Sequence, residues 1–149
     1  HAQHAARGRS VSPIKAGSEA AFQTQVLNLA GYYGWRSYHT HDSRRSQAGF
    51  PDLVLVRGAE LIFVELKTDT GRLRPEQQEW IAALKHVGRN YRHAIELLED
   101  DVADGAHDPT DGCVDVYLWR PRDFDVLHAR LARGRHRSEP LHNPARDAA

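Results

Sequence analysis

The apolar positions along the chain repeat with two different periods. Phe22, Val26, Leu29 and Ala30 recur at helical spacing, and Ser18 just before them is a residue type that caps helices, so a helix is predicted to about Tyr33. Arg36 to His41 (RSYHTH) reads as a short strand and residues 42–49 (DSRRSQAG) as a polar loop. Two apolar strands follow, joined by Gly58-Ala59, with Gly first as a type II′ hairpin turn requires. Pro75 suits the first turn of a second helix, whose apolar face is Trp80, Ile81, Leu84 and Val87 and whose end is read at Gly88. Val114 to Trp119 (VDVYLW) is a strand, and Pro121 opens a last helix with Phe124, Leu127 and Leu131 inward. The order α-β-β-β-α-β-α predicts an α/β fold, a mixed sheet with helices on both sides. Residues 1–17 read as a flexible leader, 18–133 as one domain with an insertion at 89–112, and 134–149 as a disordered tail.

The hairpin carries charges that its apolar strands do not need. If Gly58-Ala59 is the loop, Arg57 faces Glu60 and Asp52 stands opposite Glu65. Like charges on facing strands repel, their Cβ atoms being about 5 Å apart. Lys67 lies two residues beyond Glu65 and so points to the same face. Val54, Val56, Leu61 and Phe63 share that face, while Leu53, Leu55, Ile62, Val64 and Leu66 line the other, a pattern suited to the middle of a covered sheet. Two carboxylates there need a cation between them. Lys67 alone could neutralise one, as a structural ion pair at the sheet rim. A divalent metal is the alternative, since Mg²⁺ is commonly held by one or two carboxylates and keeps several waters.

Composition narrows the setting. A chain of 149 residues is one ordinary domain. No apolar run approaches the roughly 20 residues of a membrane span, and the opening HAQHAARGRS lacks the apolar stretch of a secretory signal. With His1 where an initiator Met is usual, the sequence reads as a trimmed or partial chain. Cys113 is alone, which excludes an internal disulfide and a multi-cysteine zinc site, and a reducing, cytoplasmic location is expected. The net charge of zero conceals an acidic stretch without Lys or Arg, residues 96–111, and an Arg-rich stretch from Arg120 onward. Arg is suited to bidentate phosphate contacts, although a solvated charged surface explains such asymmetry as well.

Pro51-Asp52, followed thirteen residues on by Glu65-Leu66-Lys67, resembles the PD-(D/E)XK nuclease signature. Around it SEAAFQ (18–23), HTHDSRRSQAGFPDL (39–53), GRLRPEQQEW (71–80) and VYLWRP (116–121) are similar to the VRR-NUC (virus-type replication-repair nuclease) branch of that superfamily. The resemblance covers Ser18 to Gly88 and Val114 to Leu131. It implies a restriction-endonuclease-like fold and a metal-dependent endonuclease leaving 5′-phosphate and 3′-hydroxyl ends. On this likeness Asp52, Glu65 and the Leu66 carbonyl would ligate Mg²⁺ or Mn²⁺. Glu19 would act through water or hold a second ion, Lys67 would orient the attacking water, and Gln77 would support the site. A homodimer acting on branched DNA such as Holliday junctions is the implied biology, with a flap or nicking enzyme as the near alternative. A noncatalytic DNA-binding module of the same fold is the rival from another class.

Beside that motif, Ser43, Arg44 and Arg45 are expected to contact DNA phosphates from the loop before the acidic strand, and Arg72 and Arg74 to do the same. The ARLARGRHR run (129–137) is expected to add nonspecific attraction. His39 and His41 alternate along a strand and could converge, but the local sequence offers no third ligand for zinc. Residues 89–112 depart from the family pattern, and their acidic half is expected to face away from DNA or to touch another protein.

Overall fold

The structure, a computed structural model, describes residues 17–41, 43–99 and 112–133. Helix α1 (Glu19–Tyr32) begins where the Ser18 hydroxyl accepts the Ala21 N–H at 3.2 Å. It leads into strand β1 (Arg36–His39), a short 3-10 turn at Ser43–Arg45, and strands β2 (Leu53–Arg57) and β3 (Ala59–Leu66). Helix α2 (Pro75–Glu99), strand β4 (Gly112–Trp119), a 3-10 turn at Pro121–Asp123 and helix α3 (Phe124–Ala132) complete the described chain. The strands form one sheet in the order β1-β2-β3-β4. β1, β2 and β3 pair antiparallel, and β4 runs parallel to β3. This is the mixed α/β architecture that the element order predicts, consistent with the restriction-endonuclease-like class.

The hairpin register matches the expectation from Leu53↔Val64 to Arg57↔Glu60. Gly58 takes φ +57° while Ala59 stays at negative φ, which rules out type I′ and fits type II′. One face of the hairpin is fully buried: Leu53, Leu55, Ile62, Val64 and Leu66 pack with Phe22, Val26 and Ala30 of α1 and Leu127 and Leu131 of α3. Trp35 closes this core, its indole N–H donating to the Leu131 carbonyl at 3.0 Å.

The opposite face is only partly covered, in contrast to the expected two-sided burial. Phe63 meets Phe50, which in turn meets Trp80 of α2, and Tyr91 of the same helix lies against Gly112 at the other end of the sheet. Val56, farther along, is 38% exposed.

Two expectations about element ends change. β1 stops at His39 rather than His41, and the loop after it holds the 3-10 turn. More consequentially, α2 does not end at Gly88 but continues to Glu99. Gly88 is buried where the helix crosses β4, and a Cβ there would run into the Val114 carbonyl oxygen. The glycine permits close packing instead of stopping the helix. The first part of the expected insertion is therefore a continuation of α2. Residues 1–16, 100–111 and 134–149, on which the leader, acidic-loop and tail expectations fall, lie outside the described residues. Among the described residues no helix is long and apolar enough to cross a membrane.

Candidate active site

Gly49 sets up the meeting of the two halves of the site. Its φ of +86° is one that side-chain-bearing residues rarely adopt, and a Cβ would lie 2.5 Å from the Glu76 carbonyl group. The loop before β2 thus rests on the first turn of α2. Pro51 and Asp52 follow, with Asp52 one residue before the paired ladder rather than within it. Its Oδ2 accepts the Leu66 backbone N–H at 2.8 Å, so the side chain does what a paired carbonyl would otherwise do.

Glu65 is the most enclosed charged group here, 1% exposed. Its Oε1 receives the Lys67 ammonium at 3.0 Å and the Gln77 side-chain amide. The orientation of that amide follows from its other end: Gln77 Oε1 accepts the Arg74 backbone N–H at 2.9 Å, which leaves Nε2 to donate to Glu65. Glu65 Oε2 is buried and has no hydrogen bond among the described residues. Burial, and next the nearby Asp52 charge, push the Glu65 carboxyl from 4.5 up to about 7, against the opposing pull of Lys67. Burial also raises Asp52, opposed by the Leu66 N–H and by the positive charges of Lys67 and Arg74.

Lys67 is buried, its own N–H extending the parallel ladder to the Trp119 carbonyl at 3.1 Å. Alternation beyond β3 puts its side chain on the Glu65 face, as the spacing predicts. The ammonium also lies 3.9 Å from Glu19 Oε1, in the first turn of α1, where an acidic side chain is favoured by the helix dipole in any case. Asp52, Glu65, Leu66, Lys67, Glu19 and Gln77 are therefore gathered from β2, β3, α1 and α2 around one end of the sheet.

The donor set suits a hard divalent cation of few protein ligands. Among the described residues no three His, Cys, Asp or Glu side chains form a metal-holding group. Two carboxylates do approach, one with a buried oxygen that has no hydrogen bond among the described residues, and burying a charge without a partner is costly. Mg²⁺ commonly takes one or two carboxylates and completes its shell with water. The Lys67 pair accounts for one oxygen of Glu65 and leaves the other, so the structural ion pair explains only half of the arrangement. His39 and His41 do converge, with ring centroids 4.3 Å apart, but no third metal-binding side chain joins them among the described residues.

The cationic residues separate into groups. Ser43 opens the 3-10 turn, and Arg44 and Arg45 in it are exposed. Arg72 and Arg74 are exposed in the loop before α2, and Arg74 is near enough to lower the Asp52 pKa. Sequence reasoning missed Arg120, whose guanidinium donates to the carbonyls of Thr68 and Gly71, at 2.8 Å for the latter, and so braces the loop that follows Lys67. The only sequence signal was its place beside Pro121 in WRP. Arg130 corrects the reading of the ARLARGRHR run: it is buried and bonded to Tyr117 Oη at 2.8 Å and Glu60 at 3.0 Å, so it presents no charge to DNA. Residues 134–137 of that run lie outside the described residues.

A Pro-Asp before one central strand of a mixed sheet and a Glu-Leu-Lys closing the next form the arrangement that the sequence resemblance leads one to expect. The VRR-NUC domain model matches residues 3–95, well over half of the chain. The chain belongs to the VRR-NUC family, a nuclease family that generally uses divalent metal ions. Neither the curated proteins nor the solved structures contain a match to it.

Proposed function

We propose that this protein is a metal-dependent, structure-specific DNA endonuclease that hydrolyses phosphodiester bonds in branched DNA such as Holliday junctions, acting as a homodimer. One observation carries the reading: Glu65, buried beside Asp52, keeps an oxygen that no group among the described residues satisfies, in a family of nucleases. A noncatalytic DNA-binding module has no use for that costly arrangement.

Asp52, Glu65 and the Leu66 carbonyl are the groups to hold Mg²⁺ or Mn²⁺, with Glu19 acting through water or on a second ion. The ion, when bound, polarises the phosphoryl oxygen and stabilises charge on the leaving 3′-oxygen. Lys67 orients the attacking water, its ammonium anchored on Glu65. Gln77 holds the Glu65 carboxylate in one orientation, itself fixed by the Arg74 N–H. Arg44, Arg45, Arg72 and Arg74, with Ser43, position the phosphate backbone without reading bases. A two-fold dimer would bring two such sites to two strands of a junction.

The test is cleavage of labelled Holliday junctions, flaps and linear duplex in Mg²⁺, Mn²⁺ or EDTA, with wild type, Asp52→Asn and Lys67→Ala. Symmetric metal-dependent cuts confined to the junction, lost in both variants, are expected. Cuts in flaps or duplex would keep the chemistry and change the substrate. Tight binding with no cleavage in either metal would leave the noncatalytic module standing.

A further inference from the structure

A second cationic feature lies away from the carboxylates. α2 crosses the edge strand β4 at Gly88, and the crossing leaves a groove of about 240 Å³ lined by Lys85, Gly88, Arg89, Arg92, Val114 and Asp115. Lys85, Arg89 and Arg92 fall at i, i+4 and i+7, so they form one stripe along the helix. Lys85 and Arg89 are exposed and make no ion pair or hydrogen bond among the described residues. Arg92 reaches Asp115 at 3.5 Å, but Asp115 is shared with the buried Arg130, also at 3.5 Å, and accepts the Tyr117 hydroxyl. The one acidic side chain in the groove is thus already balanced from beneath, and the groove is left net positive.

We propose that this groove grips the sugar–phosphate backbone of a DNA arm as it leaves the active site, an inference that rests on the nuclease reading above. The helix itself sets the scale. Gln77 touches Glu65, and at about 1.5 Å rise per residue Lys85 stands about 12 Å and Arg92 about 22 Å farther along α2. The stripe from Lys85 to Arg92 spans about 10 Å, close to three phosphate steps at about 3.4 Å of helix axis per strand. α2 connects the two places as one continuous helix, because Gly88 lets it pass over β4 without a break. The contact is to phosphates, so it lends grip and direction to an arm without base preference.

The test is the salt dependence of binding to a four-way junction with long arms, using full-length Asp52→Asn alone and with Lys85→Gln/Arg89→Gln added. Two lost phosphate contacts should flatten the slope of log affinity against log salt by about 1.8, which shrinks the affinity gap between the proteins about tenfold between about 50 and about 200 mM salt. Lys85→Arg/Arg89→Lys should restore the slope. In the active background the double Gln variant should raise KM and leave kcat unchanged. An unchanged slope in a protein that still binds DNA overturns the groove and leaves the nuclease reading intact. A flattened slope in a protein that never cuts in any metal supports the groove and overturns the nuclease. A variant with lower kcat and unaltered KM contradicts an arm-gripping role.

Discussion

Two clusters of charge sit on the same sheet, and they are built to opposite rules. Around Arg130 every side-chain nitrogen has an acceptor: Tyr117 Oη at 2.8 Å, Glu60 at 3.0 Å, Cys113 Sγ at 3.2 Å and Asp115 at 3.5 Å. Burial works against its charge, but the Tyr117 hydrogen bond and the surrounding anions outweigh it, and the pKa is raised. Glu60 is also held by Arg57 at 2.9 Å, and Arg57 lies over the Trp35 ring. Around Glu65 the balance fails. Two carboxylates share one buried ammonium, one oxygen has no partner among the described residues, and the Glu65 pKa moves toward neutrality. A satisfied network holds a fold together; an unsatisfied one on the same sheet is what the proposed cation site would account for.

The contrast predicts that the clusters respond oppositely to mutation. Glu65→Gln should reduce metal-dependent cleavage by at least about three orders of magnitude, roughly 4 kcal/mol at the transition state. Its urea-unfolding stability in EDTA at pH 8 should be unchanged or higher, because the frustrated charge is gone. Arg130→Met should do the reverse: a loss of about 3 kcal/mol in urea unfolding, from stranding buried anions, with cleavage per folded molecule retained. Loss of stability in both variants, with activity kept in both, would contradict this difference between the two clusters.

Smaller effects sharpen it. Gln77→Ala frees Glu65 to turn, and single-turnover rates should fall about 10- to 100-fold, the usual cost of losing a group that orients a ligand. Gly88→Ala forces a Cβ onto the Val114 carbonyl and should cost about 2 kcal/mol of stability while the site chemistry persists in the folded fraction. The pH response should be milder still. A carboxyl whose folded pKa lies above its ordinary value binds its proton more tightly in the folded state. Metal-free Tm should therefore fall as pH rises from about 4.5 through about 7, and Glu65→Gln should flatten that decline. A Tm that rises over this window in EDTA would contradict the assignment.

Much of the site was legible in the sequence, because local rules determine it. The Gly58-Ala59 turn fixes the register as far as Leu53↔Val64, which brings Asp52 to the end of β3, and period-two alternation puts Lys67 on the Glu65 face. Gln77 followed only from the family resemblance, since nothing in a helix sequence says which face will meet a carboxylate. What was lost depended on tertiary contact. Gly88 looks like a helix stop by propensity, and only the passage over β4 explains it inside a continuous helix. Arg130 looks like one of several surface arginines until α3 docks and turns it toward Glu60, Tyr117 and Asp115. The placement of β4 parallel to β3 likewise has no local signature, yet it positions Lys67 through the Trp119 carbonyl.

The most direct test of a cation site at Glu65 is thermal unfolding at pH 8 in EDTA and in saturating Mg²⁺, for wild type and Glu65→Gln. Binding at about a hundred times the dissociation constant should stabilise the wild type by about 2.7 kcal/mol, a shift of several degrees in Tm, and should leave the variant unmoved. Equal shifts in both proteins, or none in either, would contradict the claim that the unsatisfied carboxylate is there to hold a metal.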